Sequence, residues 1–210
     1  MWVKGAAIRP VPKFAVVGRD TLDGIERQLA DDSPTARQEL DGAFCRFEAT
    51  QPHLAESISQ VLARPLDETA LALGYFLSIS IWLAFERTFG AERLREVSAD
   101  ALKATADAIA LEEELRAANG AEPLELDDVV SSEQPHVLAF VHEHVDAALD
   151  PAARAGGAGE AREPGEVEPR EVDVDDVHAV YRATVLLTLC LSHAVVPIDG
   201  AARGRDELMA

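Results

Sequence analysis

Residues 67–90 read DETALALGYFLSISIWLAFERTFG, and the middle of this stretch is apolar on nearly every side. Leu71, Leu73, Tyr75, Phe76, Leu77, Ile79, Ile81, Trp82, Leu83 and Phe85 leave no polar strip wider than Ser78 and Ser80. A helix of this kind is either the centre of a domain or a membrane span. The apolar run from Thr69 to Phe85 has 17 residues and contains Gly74, Ser78 and Ser80, whereas a span needs about 20 mostly apolar residues. Asp67 and Glu68 precede the run and Glu86 and Arg87 follow it, so neither flank carries the Lys/Arg cluster that orients a span. The pattern predicts a core helix over 67–89 with neighbours all round. Asp67 is its expected N-cap, and Gly90 stands just past its end.

The rest of the chain supplies those neighbours. Ser33-Pro34 is a helix start, with Ser as cap and Pro at the first helical position, followed by Leu40, Ala43, Phe44 and Phe47 on one face to about Ala49. Pro52 opens a second helix, with Leu54, Ile58, Val61 and Leu62 at helical spacing, which stops at Arg64-Pro65. Ser98 caps a long helix through Leu102, Ala106, Ile109 and Leu115. Leu138, Val141, Val145 and Leu149 stripe a helix from Pro135 to Leu149, and a strongly apolar helix covers 174–195. Before these, Phe14 to Val17 suggests a strap, and Asp20 or Thr21 a cap for a short helix bearing Leu22, Ile25 and Leu29. One or two helical turns are expected at Ala91–Val97, and a short amphipathic link at Leu124–Val130. The expected fold is therefore an all-α, single-domain bundle of about six to eight helices. Its parts are an N-terminal strap and short helix at 1–31, a helical domain at 32–200 with a mobile acidic loop at 151–172, and a frayed tail at 201–210.

Gln51-Pro52-His53 recurs as Gln134-Pro135-His136. Both copies open an amphipathic helix that is followed by a strongly apolar one. With Tyr75 set against Tyr181, Asp67 falls on Asp173, Leu71 on Val177, Ile79 on Val185, Ile81 on Leu187 and Leu83 on Leu189. Two readings stand: a duplicated helical hairpin whose second copy carries an inserted acidic loop, or two unrelated helix pairs that align because both are amphipathic-then-apolar. Duplication predicts that helices 67–89 and 174–195 pack together about a pseudo-two-fold axis.

Formal net charge is −19, which argues against nucleic acid and anionic membrane surfaces as partners. Residues 120–176 hold 16 Asp and Glu against 3 Arg, a composition suited to a basic protein partner. The first residues, MWVKGAAIRPVPK, contain no apolar leader stretch. Cys45 and Cys190 are isolated, so a reduced, cytoplasmic setting is expected.

No phosphate-binding glycine loop, zinc-type Cys/His spacing or nucleophile-elbow motif occurs. The nearest approach to a catalytic pattern is that of di-metal carboxylate bundles, which take a Glu from each of two helices and Glu-x-x-His from two more. Glu133-x-x-His136 matches, Asp175-x-x-His178 is a variant, and Glu48 and Glu86 would be the lone carboxylates. Against this, Glu133, His136, Asp175 and His178 stand in first turns, where acids usually answer the helix dipole. His136, His142 and His144 point to different sides of one helix, His144 nearest the apolar stripe. Cys190, three residues from His193 in an apolar run, and Cys45, between Phe44 and Phe47, both read as packed core thiols. The leading expectation is a non-enzymatic helical module, without cofactor, that binds a protein partner or forms a homo-oligomer. Its rivals are the di-metal oxidoreductase type and a binder of a small apolar ligand between the two apolar helices.

Overall fold

Seven α-helices and two extended straps make up residues 7–31, 33–118, 133–150 and 172–198, the part of the chain that the computed structural model describes. In order the helices are α1 (Arg19–Leu29), α2 (Pro34–Thr50), α3 (Pro52–Leu62), α4 (Glu68–Phe89), α5 (Ala99–Ala118), α6 (Pro135–Leu149) and α7 (Val174–Ala194). Strap 1, residues 8–18, contains one 3-10 turn at Lys13–Ala15 and precedes α1; strap 2, residues 91–98, precedes α5. No strand occurs among the described residues, only an isolated antiparallel bridge between Leu94 and Val195.

Local chemistry sets the helix ends. Ser33 Oγ accepts from the Ala36 N–H at 3.2 Å, with Pro34 at the first helical position. Asp67 Oδ1 accepts from the Ala70 N–H at 2.9 Å. Gly90 follows α4 at φ 72°, a conformation that side-chain-bearing residues rarely adopt. Ser98 Oγ accepts from the Ala101 N–H at 3.2 Å at the start of α5.

α4 lies at the centre, against α1, α2, α3, α6 and α7. Among the described residues it is the one helix long and apolar enough to cross a membrane, and 67% of its most apolar window is buried inside the bundle. Its closest companion is α7, and the two run in the same direction. At their N-terminal ends the Asp67 N–H donates to Asp176 Oδ2 at 2.8 Å, and the Asp173 N–H donates to Asp67 Oδ2 at 3.1 Å. A Cβ built on Gly74 would lie 2.4 Å from Leu62 Cδ2 and 3.3 Å from Val180 Cγ2, so only glycine permits that approach. Beyond their C-terminal ends, the Arg95 N–H donates to the Ala194 carbonyl and the Val196 N–H to the Arg93 carbonyl, at 3.1 and 2.8 Å.

The neighbours are matched. α1 packs on α4 and α6, and α5 packs on α7 and α3; α6 also touches α4 and α3 also touches α7. Exchanging α1, α3 and α4 for α5, α6 and α7 leaves this pattern unchanged. The two glutamines of the repeated tripeptide follow the same exchange. Gln51 and Gln134 have nearly equal backbone angles, φ −135°, ψ 56° and φ −133°, ψ 64°, and both are fully buried. Gln51 donates from Nε2 to the Arg95 carbonyl and accepts at Oε1 from the Val97 N–H, both at 2.9 Å. Gln134 does the same for strap 1, donating to the Ala15 carbonyl at 2.6 Å and accepting from the Val17 N–H at 3.2 Å, and it also donates to Ser192 Oγ at 2.8 Å. Each glutamine thus clips the strap that belongs to the other half. The clips satisfy backbone groups that burial would otherwise leave unpaired.

Several expectations change. Ala91–Val97 is a turn running into an extended strap rather than a helix, because Gln51 and the end of α7 take its backbone groups. α1 begins at Arg19 after Gly18, with no side-chain cap. Cys45 is exposed, not packed: α2 buries Ala43 and Phe47, and a residue midway between i and i+4 falls on the opposite side of a helix. Leu115 is 38% exposed. Val172, the last residue of the acidic stretch, is buried; it precedes the Asp173 cap, where an apolar side chain fixes the chain's entry into the helix. Ile8, Val11, Ala15 and Val17 of strap 1 share one core with α4 and α7. The expected link at Leu124–Val130, the loop at 151–171 and the tail at 201–210 lie outside the described residues.

Candidate functional site

The residues that spacing suggested as metal ligands are not brought together. Glu133 Oε2 accepts from the Val11 N–H at 2.7 Å and so holds strap 1. Glu86 receives two bonds from the Arg46 guanidinium, both at 3.0 Å. Glu48, His136, Asp175 and His178 are exposed. Among the described residues, no three His, Cys, Asp or Glu side chains gather where a metal ion would be held.

The cysteines and His144 have structural surroundings. Burial pushes the Cys190 thiol up to about 11, away from the thiolate that nucleophilic chemistry requires. His144 packs on Phe140 and Phe76, with ring centroids 4.3 and 4.7 Å away. Its Nδ1 lies 2.8 Å from the Phe140 carbonyl and its Nε2 lies 3.3 Å from Glu26. Where α4 meets α7, a methyl group on Gly74 would lie 3.3 Å from Val180 and 2.4 Å from Leu62 of α3, which leaves no crevice at that point.

A largely apolar concave feature lies between α6 and α7, towards the N-terminal end of α7. It is a groove of about 380 Å³ lined by His142, Val145, Asp146 and Leu149 of α6 and by Val174, Val177, His178 and Tyr181 of α7. Each set follows the three-and-four spacing that puts residues on one helix face. The floor is aliphatic. At its side the His142 ring lies 5.8 Å from the Tyr181 ring at 25°, with Nε2 3.5 Å from the phenol oxygen. The His178 ring is nearly parallel to that of Tyr181, 6.5 Å away. Val174 is 63% exposed, an unusual setting for a large aliphatic side chain at the mouth of such a groove.

The charge around this floor has one sign. Asp146 lines the groove, and Asp150, Asp173, Asp175 and Asp176 stand at the adjoining helix ends. Among the described residues no Lys or Arg lines it, and nearby Arg182 is paired with Glu113 at 2.6 Å. Such an arrangement is suited to receiving apolar side chains on its floor and basic groups of a ligand at its acidic rim. The α6 stripe is visible in the sequence, whereas Val174, Val177 and Tyr181 are not singled out there as a face. That the outer turns of both stripes meet at the surface required the packing of α6 on α7. No protein-family model, curated protein or solved structure matches the chain.

Proposed function

We propose that this chain is a non-enzymatic helical interaction module whose α6–α7 groove receives a basic, amphipathic helical segment of a partner protein. The observation that carries this reading is the groove itself, aliphatic along its floor, with Asp146 in its lining, aspartates at the adjoining helix ends and, among the described residues, no lining Lys or Arg. A helix laid into a groove anchors through apolar residues at three-and-four spacing, and rim charges select its sign and speed its approach. We also read the chain as an internal duplication. Its support is the repeated tripeptide, the equal backbone angles at Gln51 and Gln134, and the reciprocal clipping of the straps. A reduced, cytoplasmic setting is part of the same reading, supported by two unpaired thiols.

The test is calorimetric titration with a Leu/Lys amphipathic helical peptide and with its Leu/Glu counterpart. The Lys peptide is expected to bind and to weaken with added salt, since exposed charges are screened within about 10 Å at 0.1 M. The Glu peptide is expected to be silent. Val174→Lys, which reverses the preference at an exposed position without touching the core, should weaken binding of the Lys peptide at least about tenfold. Equal binding of both peptides, or indifference to Val174→Lys, would remove the groove as the site.

A further inference from the structure

A second cavity, of about 290 Å³, opens at the other end of α7, where the two straps meet. His193 Nε2 lies 3.2 Å from the Arg9 carbonyl and 3.4 Å from the Pro10 carbonyl, which ties strap 1 to this end. Strap 2 is fixed there by the bond from the Arg95 N–H to the Ala194 carbonyl and by the Gln51 clip. With their backbones held, Arg9 and Arg95 both belong to the lining of the cavity.

The charges here are opposite to those of the α6–α7 groove. Arg19, Arg46 and Arg182 are each paired with a carboxylate. Among the described residues, no carboxylate lies within ion-pair distance of Arg9 or Arg95, although acidic residues outnumber Lys and Arg by 38 to 19. Glu96 also lines the cavity, and the nearby Glu133 is engaged by the Val11 N–H. The positive charge of Arg9 is felt inside: after burial, it helps hold the His193 imidazole below its usual range. Val97, Ala101, Ala194 and Val196 supply the aliphatic part of the lining, beside Ser98, Thr105 and Cys190. The lining therefore combines two arginines and one glutamate with aliphatic side chains, and the start of α5 at Ser98 adds a dipole of the same sign as the arginines.

We propose that this cavity binds a small aliphatic carboxylate, its oxygens held by Arg9 and Arg95 and its chain laid over Val97, Ala101, Ala194 and Val196. Guanidinium forks match carboxylate geometry, which favours arginine over lysine for this task. An interior of this size has room for a chain of about six carbons, each buried CH₂ tightening binding about fourfold.

The test uses the full chain labelled with ¹⁵N and titrates it with acetate, butanoate, hexanoate, hexanol and inorganic phosphate. Hexanoate should shift the amides of Val97 to Ala101 saturably, with affinity falling about fourfold per CH₂ removed. Hexanol, which lacks the charge, and phosphate, which lacks the chain, should each bind at least about tenfold more weakly. Arg9→Gln and Arg95→Gln should each cost about tenfold while leaving the unfolding midpoint unchanged, because both side chains are exposed. Ala101→Leu, which fills the cavity from an exposed helical position, should abolish the shifts. Hexanol binding as tightly as hexanoate, phosphate binding as tightly as hexanoate, or shifts confined to α6 and the N-terminal half of α7 would each overturn the proposal.

Discussion

The hairpins α3–α4 and α6–α7 begin alike and end differently. Both open at a buried glutamine with the same backbone angles, followed by proline at the first helical position. Their apolar helices are both capped by an aspartate, Asp67 and Asp173. Between its helices the first hairpin has only residues 63–67, while the second has 150–173. Around the α6–α7 groove the aligned positions diverge too: Ser59 against His142, Ala63 against Asp146, Glu68 against Val174 and Ala72 against His178, with Tyr75 and Tyr181 unchanged. The halves agree where the straps are clipped and differ where the helix pair turns over. The shared end carries the scaffold, and the divergent end carries the features that suit binding.

The largest test of this comparison is at the agreeing end. Gln51→Ala strips partners from a part-buried carbonyl and a buried N–H in strap 2; Gln134→Ala strips them from a buried carbonyl and a buried N–H in strap 1 and also at Ser192. At about 1–3 kcal/mol for each buried group left unsatisfied, each variant should lose about 3 kcal/mol in chemical denaturation, Gln134→Ala slightly more. A near-neutral result for one of the pair would break the equivalence of the two clips.

The next test is where α4 meets α7. Gly74 and Val180 occupy aligned positions and face each other, with Leu62 inserted over the glycine where the second hairpin has Val145. One hairpin sets a long side chain against none; the other has two of middle size. Gly74→Leu should therefore destabilise by overpacking, by about 1–3 kcal/mol, whereas Val180→Ala should cost no more than about 1.5 kcal/mol. An unchanged midpoint for Gly74→Leu would show that the helices are not in close contact there.

The smallest effect concerns an asymmetry. Arg19 of α1 donates to both oxygens of Glu143 in α6, at 2.9 and 2.7 Å, while the aligned positions on α5 and α3 are Ala99 and Gln60. Hydrogen bonding from Arg19 holds the Glu143 carboxyl below its ordinary range. A carboxyl depressed in the folded state contributes stability that is present above its unfolded pKa and is lost as pH falls through the folded one. Because the pair is exposed, the contribution should be about 0.2–1 kcal/mol. Glu143→Gln should remove that part of the acid-limb slope and leave stability at neutral pH only slightly lower. A slope identical to that of the parent chain would mean the ion pair contributes nothing.

Much of the scaffold was legible because it rests on local chemistry. Ser33, Asp67 and Gly90 each mark a helix end through a backbone group within a few residues. The apolar surround of Trp82 and Phe85 required a central position, and α4 has it. What depended on distant partners was not legible. Nothing near Gln51 in the sequence indicates that it holds Arg95 and Val97, so strap 2 read as helix. Glu133 and His136 have ligand spacing, yet Glu133 serves the backbone of Val11 and His136 faces solvent. The carboxylate cleft and the arginine-lined cavity arise from pairs of elements far apart in sequence, and composition averaged their opposite charges into one acidic total.

The crossed clipping of the straps has a consequence for synthesis. Strap 1 is secured by Gln134, and α4 is covered by α7, so neither contact can form while only the first half exists. The 105 residues from Gly90 to Ala194 take about 5–20 s to add at ordinary elongation rates. Through that interval α4, among the described residues the one helix long and apolar enough to cross a membrane, is without its main companion. The helix at the centre of the finished bundle is thus a long apolar surface while the protein is being made, the kind of transiently exposed surface that invites aggregation.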